Sequence, residues 1–320
     1  MQDHQRVKVI AHRGGAALRV ENTLAAFEHA VSLGADGAEL DVHLSRDGQV
    51  IVHHDDALNP GYCRAADGAW VDAINRPRID ELTLAQLQRY EIGEPRTGSD
   101  YARRHPRVEP VAGQRIPLLR DVIRLVKARS PRFRLVIEIK TPMPEATRQS
   151  WRGLVAATLD AIREEGFIER AILCSFDWGA LVHAKRLCPE LPTWFTTAPL
   201  SWFETGTPPR EDDPPDADEL HELRTLYGSG DAPWFAGLNP RQLAGGYPEA
   251  IASEGGDAWF MYDRDCTAER VHALHSRRLS AAIWGPNVRD QDSLARLLRT
   301  GVDAVCLDDP TIVVDDPLLR

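Results

Sequence analysis

No stretch of the sequence approaches the ~20 consecutive apolar residues of a membrane span. Nor does the N-terminal segment carry an apolar run long enough for a secretory leader. Those two absences predict a protein of the cytoplasm, without stable membrane insertion. A basic excess is also missing: 38 Lys+Arg stand against 48 Asp+Glu, a formal net charge of −10. Nucleic-acid binding needs a basic surface to neutralise phosphates, so no nucleic-acid partner is expected. A small phosphate ester needs only a few local cations and stays open. Cysteine is sparse, and Cys63, Cys174, Cys188, Cys266 and Cys306 lie far apart. An odd count suits no disulfide framework and no pair has metal-ligand spacing, so a reducing compartment is the simplest setting. The composition carries no signal for an oligomeric state.

What is present is ordinary for a folded chain: 320 residues, 43% hydrophobic and 27% charged. That length suits one large α/β domain or two modest ones, and a barrel of this size can be a single domain. Val7 to Ala11 is a short, β-branched strand cut off by Gly14-Gly15. Leu24, Phe27 and Val31 recur at helical spacing, with Asn22 or Thr23 as N-cap and Gly34 as stop. Residues 37–43 form the next strand, and 50–53 an antiparallel or edge segment. Residues 56–115 break the rhythm with five prolines, and read as an inserted excursion with one helical piece at 82–90. Strands follow at 134–140, 171–176, 193–197, 258–262, 280–285 and 303–308, with helices at 118–129, 151–165, 178–187, 267–277 and 290–300. The acidic, Pro-rich run within 199–233 reads as a solvated loop. Eight alternating units predict a closed (β/α)8 barrel over 1–320, with a small insertion after the second strand. The open doubly wound sheet is the alternative, but its G-x-G-x-x-G fingerprint after the first strand is absent. Residues 34–41 and 301–308 echo one another, which shared αβ-loop chemistry explains.

Several residues break the apolar rule for buried parallel strands. Glu39 and Asp41 stand two apart and share a strand face. Two buried carboxylates persist comfortably only with a cation or several donors; alternatively, one faces solvent at a strand end. Glu138 and Lys140 repeat the spacing, as a strand-end ion pair or as part of a site. Three carboxylates from two strands make an all-oxygen set that suits one Mg²⁺ or Ca²⁺ ion and not Zn²⁺. His12-Arg13 closes the first strand and His53-His54-Asp55 closes the 50–53 segment. Histidines at barrel strand ends sit where barrel chemistry occurs, and imidazole can act as base or acid near neutral pH. Arg13 and Lys140 are natural phosphate ligands. Together these parts suit a phosphodiester.

The chain resembles the glycerophosphodiester phosphodiesterase family. The resemblance rests on Ala11-His12-Arg13-Gly14, Glu21-Asn22-Thr23, Glu39-Leu40-Asp41-Val42, His53-His54-Asp55 with Leu58, Ile137-Glu138-Ile139-Lys140, Ser175-Phe176, Trp284-Gly285-Pro286-Asn287 and Asp308-Asp309-Pro310. They occur in family order from residue 7 to about 310. The resemblance implies a barrel with Glu39, Asp41 and Glu138 as metal ligands and His12 and His54 as catalytic histidines. It further implies Arg13 and Lys140 as phosphate contacts, Trp284 as a pocket wall, and Glu21 and Asn22 as shapers of the first loop. His53 should point away from the site. The implied activity is metal-dependent hydrolysis of a small-molecule glycerophosphodiester to sn-glycerol 3-phosphate and an alcohol, within phospholipid-derived glycerol metabolism. A lysophospholipase D-like hydrolase and a non-catalytic binding barrel are the alternatives. This chain departs from the family pattern at Val20, at Asn59-Pro60 where Asp-Arg is common, and at Gly285-Pro286 where Trp-Thr-x-Asn is usual. The last two bear on substrate choice.

Overall fold

The computed structural model describes residues 6–141, 151–230 and 232–313. Eight parallel strands close on themselves: β1 (Lys8–Ala11), β2 (Gly37–Leu44), β4 (Arg134–Ile139), β5 (Ala171–Ser175), β6 (Thr193–Thr196), β7 (Ala258–Tyr262), β8 (Ser280–Trp284) and β9 (Ala304–Leu307). Closure comes from β1, which pairs with β9 on one side and β2 on the other. The short β3 (Val50–Val52) lies antiparallel on β2, as the edge reading of 50–53 expected. This is the (β/α)8 barrel, not the open sheet.

Alternation along each strand builds two cores. One set of positions, including Leu40, Val42, Leu135, Ile137, Ile139, Leu173 and Phe195, belongs to the large apolar core that the helices complete. The opposite set, including Ile10, Val136, Ile172, Cys174, Trp194, Phe260, Ala282 and Cys306, fills the barrel. Continued toward the C-terminal rim, that inner set becomes polar: His12 after Ile10, Glu138 and Lys140 after Val136, Trp284 after Ala282, Asp308 after Cys306. Glu39 and Asp41 belong to the inner row of β2, and Asp41 stands in register beside Glu138.

The outer helices are α1 (Leu24–Ser32), α4 (Leu119–Arg129), α5 (Trp151–Glu164), α6 (Trp178–Leu187), α7 (Ala217–Ser229), α8 (Gly246–Ser253), α9 (Ala268–His275) and α10 (Gln291–Leu298). Between β3 and α4 lie two short helices, α2 (Leu84–Leu87) and α3 (Asp100–Arg104). Thr23, not Asn22, caps α1, accepting from the Ala26 N–H at 3.1 Å. The echo between 34–41 and 301–308 has the expected loop meaning at its start. Asp36 accepts the Val9 N–H at 2.9 Å, and Asp303 accepts the Ala281 N–H at 2.7 Å. Asp257 does the same for Thr193 at 2.8 Å, so each carboxylate covers an N–H at the start of a neighbouring strand.

One expectation fails. The acidic run in 199–233 is not simply solvated loop. Asp216 caps α7, and Asp218 and Glu219 occupy its first turn, where negative charge is stabilising. Asp212 is buried and accepts the Ser201 hydroxyl at 2.6 Å. The excursion at 56–115 has its own apolar cluster, with Leu58, Tyr62, Leu87 and Tyr101 packed on Val20 and Ile51 of the barrel rim.

Candidate active site

The first loop is a tight turn in which Arg13 adopts φ +50° and Asn22 φ +56°. Left-handed backbone at non-glycine residues costs on the order of 1–3 kcal/mol and persists where the surroundings enforce it. Here it turns the Arg13 N–H onto Glu39 Oε2 at 3.1 Å, while the Asn22 N–H reaches the Arg13 carbonyl at 2.9 Å. Gly14 makes the turn possible. It has φ +84°, and a Cβ there would lie 2.8 Å from the Ala26 Cβ. Glu21 accepts from Arg13 Nη1 at 3.0 Å and from the Tyr62 hydroxyl at 3.3 Å. The Glu21 N–H donates to the Tyr101 hydroxyl at 3.1 Å. The excursion therefore braces the loop that carries His12 and Arg13.

Glu39, Asp41 and Glu138 converge, with one oxygen of each within 4.8 Å of the others. Asp41 is the hub. Its Oδ1 lies 2.9 Å from Lys140 Nζ, and its Oδ2 accepts from Asn22 Nδ2 at 2.8 Å with Arg13 Nε 3.5 Å away. Burial favours the neutral acid, but Lys140, His54 and Arg13 win and hold the Asp41 carboxyl well below the carboxylate range. Glu39 goes the other way. Burial and then the Asp41 charge push its carboxyl up, against His12 and Arg13. An oxygen-only cluster with one carboxylate short of positive charge suits a hard divalent cation.

Each histidine is anchored at Nδ1 by a carboxylate. His12 Nδ1 is 2.6 Å from Asp308 Oδ1, and His54 Nδ1 is 2.8 Å from Asp55 Oδ1. That contact fixes the ring and leaves Nε2 for chemistry. The two imidazoles are 28% and 31% exposed, so both remain reachable. Burial and Arg13 lower the His12 pKa, but Asp308 and Glu39 together outweigh them and raise it. Asp55 is held in turn by Asn59 Nδ2 at 2.9 Å and Arg76 Nη1 at 3.4 Å. His53 is buried, with Nε2 3.3 Å from the Ala57 carbonyl, facing away as expected.

Trp284, at the C-terminal end of β8, packs edge-on against two rings, with centroids 5.3 Å from Phe176 and 5.2 Å from Tyr262. The next residues are pinned by Asp263, which accepts the Asn287 N–H and Nδ2–H, each at 2.9 Å. This explains the departure at Gly285. Its φ is +140°, and a Cβ would fall 2.4 Å from Asp263 Oδ2. Gly285→Thr, which restores the usual family residue, is therefore expected to destabilise by about 1–3 kcal/mol and to raise KM by loosening Trp284. A melting curve and a KM unchanged from wild type would refute this account.

Of the ten residues singled out from the sequence, His12, Arg13, Glu21, Asn22, Glu39, Asp41, Glu138 and Lys140 are joined by direct contacts, His54 acts electrostatically on Asp41, and Trp284 stands at the end of β8 against Phe176 and Tyr262. Asp308, Asp55, Tyr62, Tyr101 and Asp263 were not assigned roles. Asp308 had a usable signal, because the inward alternation from Cys306 continues to it. Asp55 had adjacency to His54. The two tyrosines had none, since their partner Glu21 is distant in sequence.

The sequence model of the Glycerophosphoryl diester phosphodiesterase family matches residues 12–312. A glycerophosphodiester phosphodiesterase of Caldanaerobacter subterraneus subsp. tengcongensis is 34% identical over 183 residues, 57% of this chain and 63% of that protein. The matched stretch thus spans less than two thirds of that relative. A solved Silicibacter pomeroyi protein, provisionally named glycerophosphoryl diester phosphodiesterase, superposes with a TM-score of 0.75 at 26% identity, over 96% of this chain and 91% of that one. An Oleispira antarctica phosphodiesterase, solved in complex with the product sn-glycerol-3-phosphate, has the same fold, with a TM-score of 0.64 at 20% identity over 95% and 94% of the two chains.

Proposed function

This chain belongs to the glycerophosphoryl diester phosphodiesterase family, and on that premise we propose that it hydrolyses a small-molecule glycerophosphodiester to sn-glycerol 3-phosphate and a free alcohol. The reading rests above all on one observation: two carboxylate-anchored histidines, two cations and a three-carboxylate nest meet on one rim. The Oleispira phosphodiesterase was solved with that product.

Arg13 binds the phosphate. Its Nη1 bonds Glu21 and its buried Nε lies 3.5 Å from Asp41 Oδ2, so the guanidinium is held rigidly beside the acid nest, where its charge meets the phosphate. Glu39, Asp41 and Glu138 would hold one Mg²⁺ or Ca²⁺ ion, which would supply Lewis-acid stabilisation of the phosphate charge. His12 Nε2 takes the proton of the nucleophile, either water or the glycerol 2-hydroxyl. His54 Nε2 gives a proton to the leaving oxygen. Trp284 and Phe176 wall the substrate, and the excursion, as part of a single catalytic domain with the barrel, governs choice among leaving alcohols. Free thiols at all five cysteines suit a reducing compartment, and the products suit cytoplasmic turnover of phospholipid-derived glycerol.

Release of sn-glycerol 3-phosphate from glycerophosphocholine and glycerophosphoethanolamine, with and without EDTA, tests the reading. Activity should vanish in chelator and return with Mg²⁺ or Ca²⁺. Full activity in EDTA would end the cation assignment. Release from lysophosphatidylcholine alone would move the assignment to a lysophospholipase D-like hydrolase, and no release from any diester would leave a binding barrel.

A further inference from the structure

Lys140 is placed unexpectedly for a residue whose partner is to be a phosphate. Its Nζ lies 2.8 Å from Glu138 Oε1 and 2.9 Å from Asp41 Oδ1, and its side chain is only 17% exposed. These are two of the three carboxylates that converge at the rim. The position follows from the strands. Asp41 and Glu138 are register partners, and Lys140 is the next inward residue after Glu138, so its ammonium rises between the two acids.

Among the described residues no other group covers the same ground. Arg13 approaches Asp41 only through Nε at 3.5 Å, with Nη1 taken by Glu21. Asn22 bonds the far oxygen of Asp41 and brings no charge. Among the described residues, Lys140 supplies the one ion pair that Glu138 makes. Glu39, the third acid, is untouched by Lys140 and receives the Arg13 N–H instead.

We infer that Lys140 is the resident counter-ion of the acid nest: it neutralises Asp41 and Glu138 while no cation is bound and yields at least one of them when a divalent cation enters. The inference rests on the reading that the three acids hold a cation. Two positive groups cannot share the same carboxylate oxygens a few ångströms apart without strong repulsion. Lys140 thereby stabilises the metal-free protein and weakens its hold on the cation. On yielding, its ammonium becomes available to the substrate phosphate, so that phosphate and cation arrive on a site already charge-balanced in their absence.

The two effects of removing the charge have opposite signs, which a merely structural lysine would not produce. Lys140→Met is expected to melt lower than wild type in EDTA, yet to bind Ca²⁺ or Mg²⁺ about tenfold tighter by calorimetry. Saturating cation should then raise its melting temperature more than it raises that of wild type. Lys140→Arg, which keeps the charge, should return both readouts toward wild type. Should Lys140→Met fail to fold, wild type decides alone. Lys8, Lys127, Lys140 and Lys185 are the chain's only lysines, so amine acylation is readily mapped by mass spectrometry. Lys140 should label faster in saturating Ca²⁺ than in EDTA, against an unchanged Lys8. Weaker or equal cation binding by a folded Lys140→Met, or labelling indifferent to Ca²⁺, overturns the inference. Absence of any cation binding by wild type overturns the cation reading on which it stands.

Discussion

His12→Ala and His54→Ala are each expected to lower kcat by about 10²–10⁴-fold, the usual contribution of one general acid or base. The double variant should be little worse than the poorer single, because groups that act in one proton relay are not additive. The geometry carries the expectation. Both rings are held through Nδ1 by carboxylates from different parts of the barrel, Asp308 after β9 and Asp55 after β3. Each therefore presents the same nitrogen to the reaction. A p-nitrophenyl diester, whose leaving oxygen needs little protonation, should rescue the variant that lacks the acid, expected to be His54→Ala. Rescue of His12→Ala instead would exchange the two roles. Asp308→Asn refines the test. The amide carries no charge to stabilise an imidazolium and can turn its NH2 to donate to Nδ1, which holds the ring in the wrong tautomer, so kcat should fall with KM little changed. Near-normal turnover of the natural diester by either histidine variant would remove that residue from the mechanism.

How far the sequence revealed this site depends on the kind of signal each residue left. Buried parallel strands are almost wholly apolar, so Glu39, Asp41, Glu138 and Lys140 stood out as exceptions, and the barrel interior is where they lie. Strand-end histidines were legible for the same reason. Asp308 was hidden inside a true structural repeat. Asp303 and Asp36 do share a loop role, and that shared role masked the different task of the residue five positions later. The braces from Tyr62 and Tyr101 to Glu21 cross 41 and 80 residues of sequence and leave no local pattern. Helix α7 was missed because an acidic, Pro-rich stretch carries the composition of a solvated loop. Only its position, with Asp216 as cap and acids in the first turn, marks it as a helix start.

Asp41→Asn and Glu39→Gln each remove a carboxylate from the same nest, yet they should separate cleanly in the metal-free protein. Asp41 is 1% exposed and serves Lys140, Asn22 and Arg13 together. Its neutralisation breaks a buried ion pair, for which a loss of about 3 kcal/mol is expected. Among the described residues Glu39 accepts one hydrogen bond, from the Arg13 N–H, with His12 Nε2 3.8 Å away, and burial with the Asp41 charge holds its carboxyl above the ordinary range. The amide of Glu39→Gln resembles the protonated acid, so stability in EDTA should be kept or raised. The pH dependence follows with the same sign. A carboxyl whose folded pKa lies above its unfolded value stabilises most fully below the unfolded value, and that contribution is lost as pH rises through the folded one. Wild type in EDTA should therefore lose part of its stability as pH rises above the normal glutamate range, and Glu39→Gln should lose less over the same interval. Both variants should weaken cation binding by about 100-fold or more, and hydrolysis with it. Melting curves across that interval in EDTA, with calorimetric Ca²⁺ and Mg²⁺ titrations, check the set. If Glu39→Gln proves as destabilising as Asp41→Asn without cation, Glu39 is a charged partner in the metal-free nest, and the division of labour drawn here between the two acids is wrong.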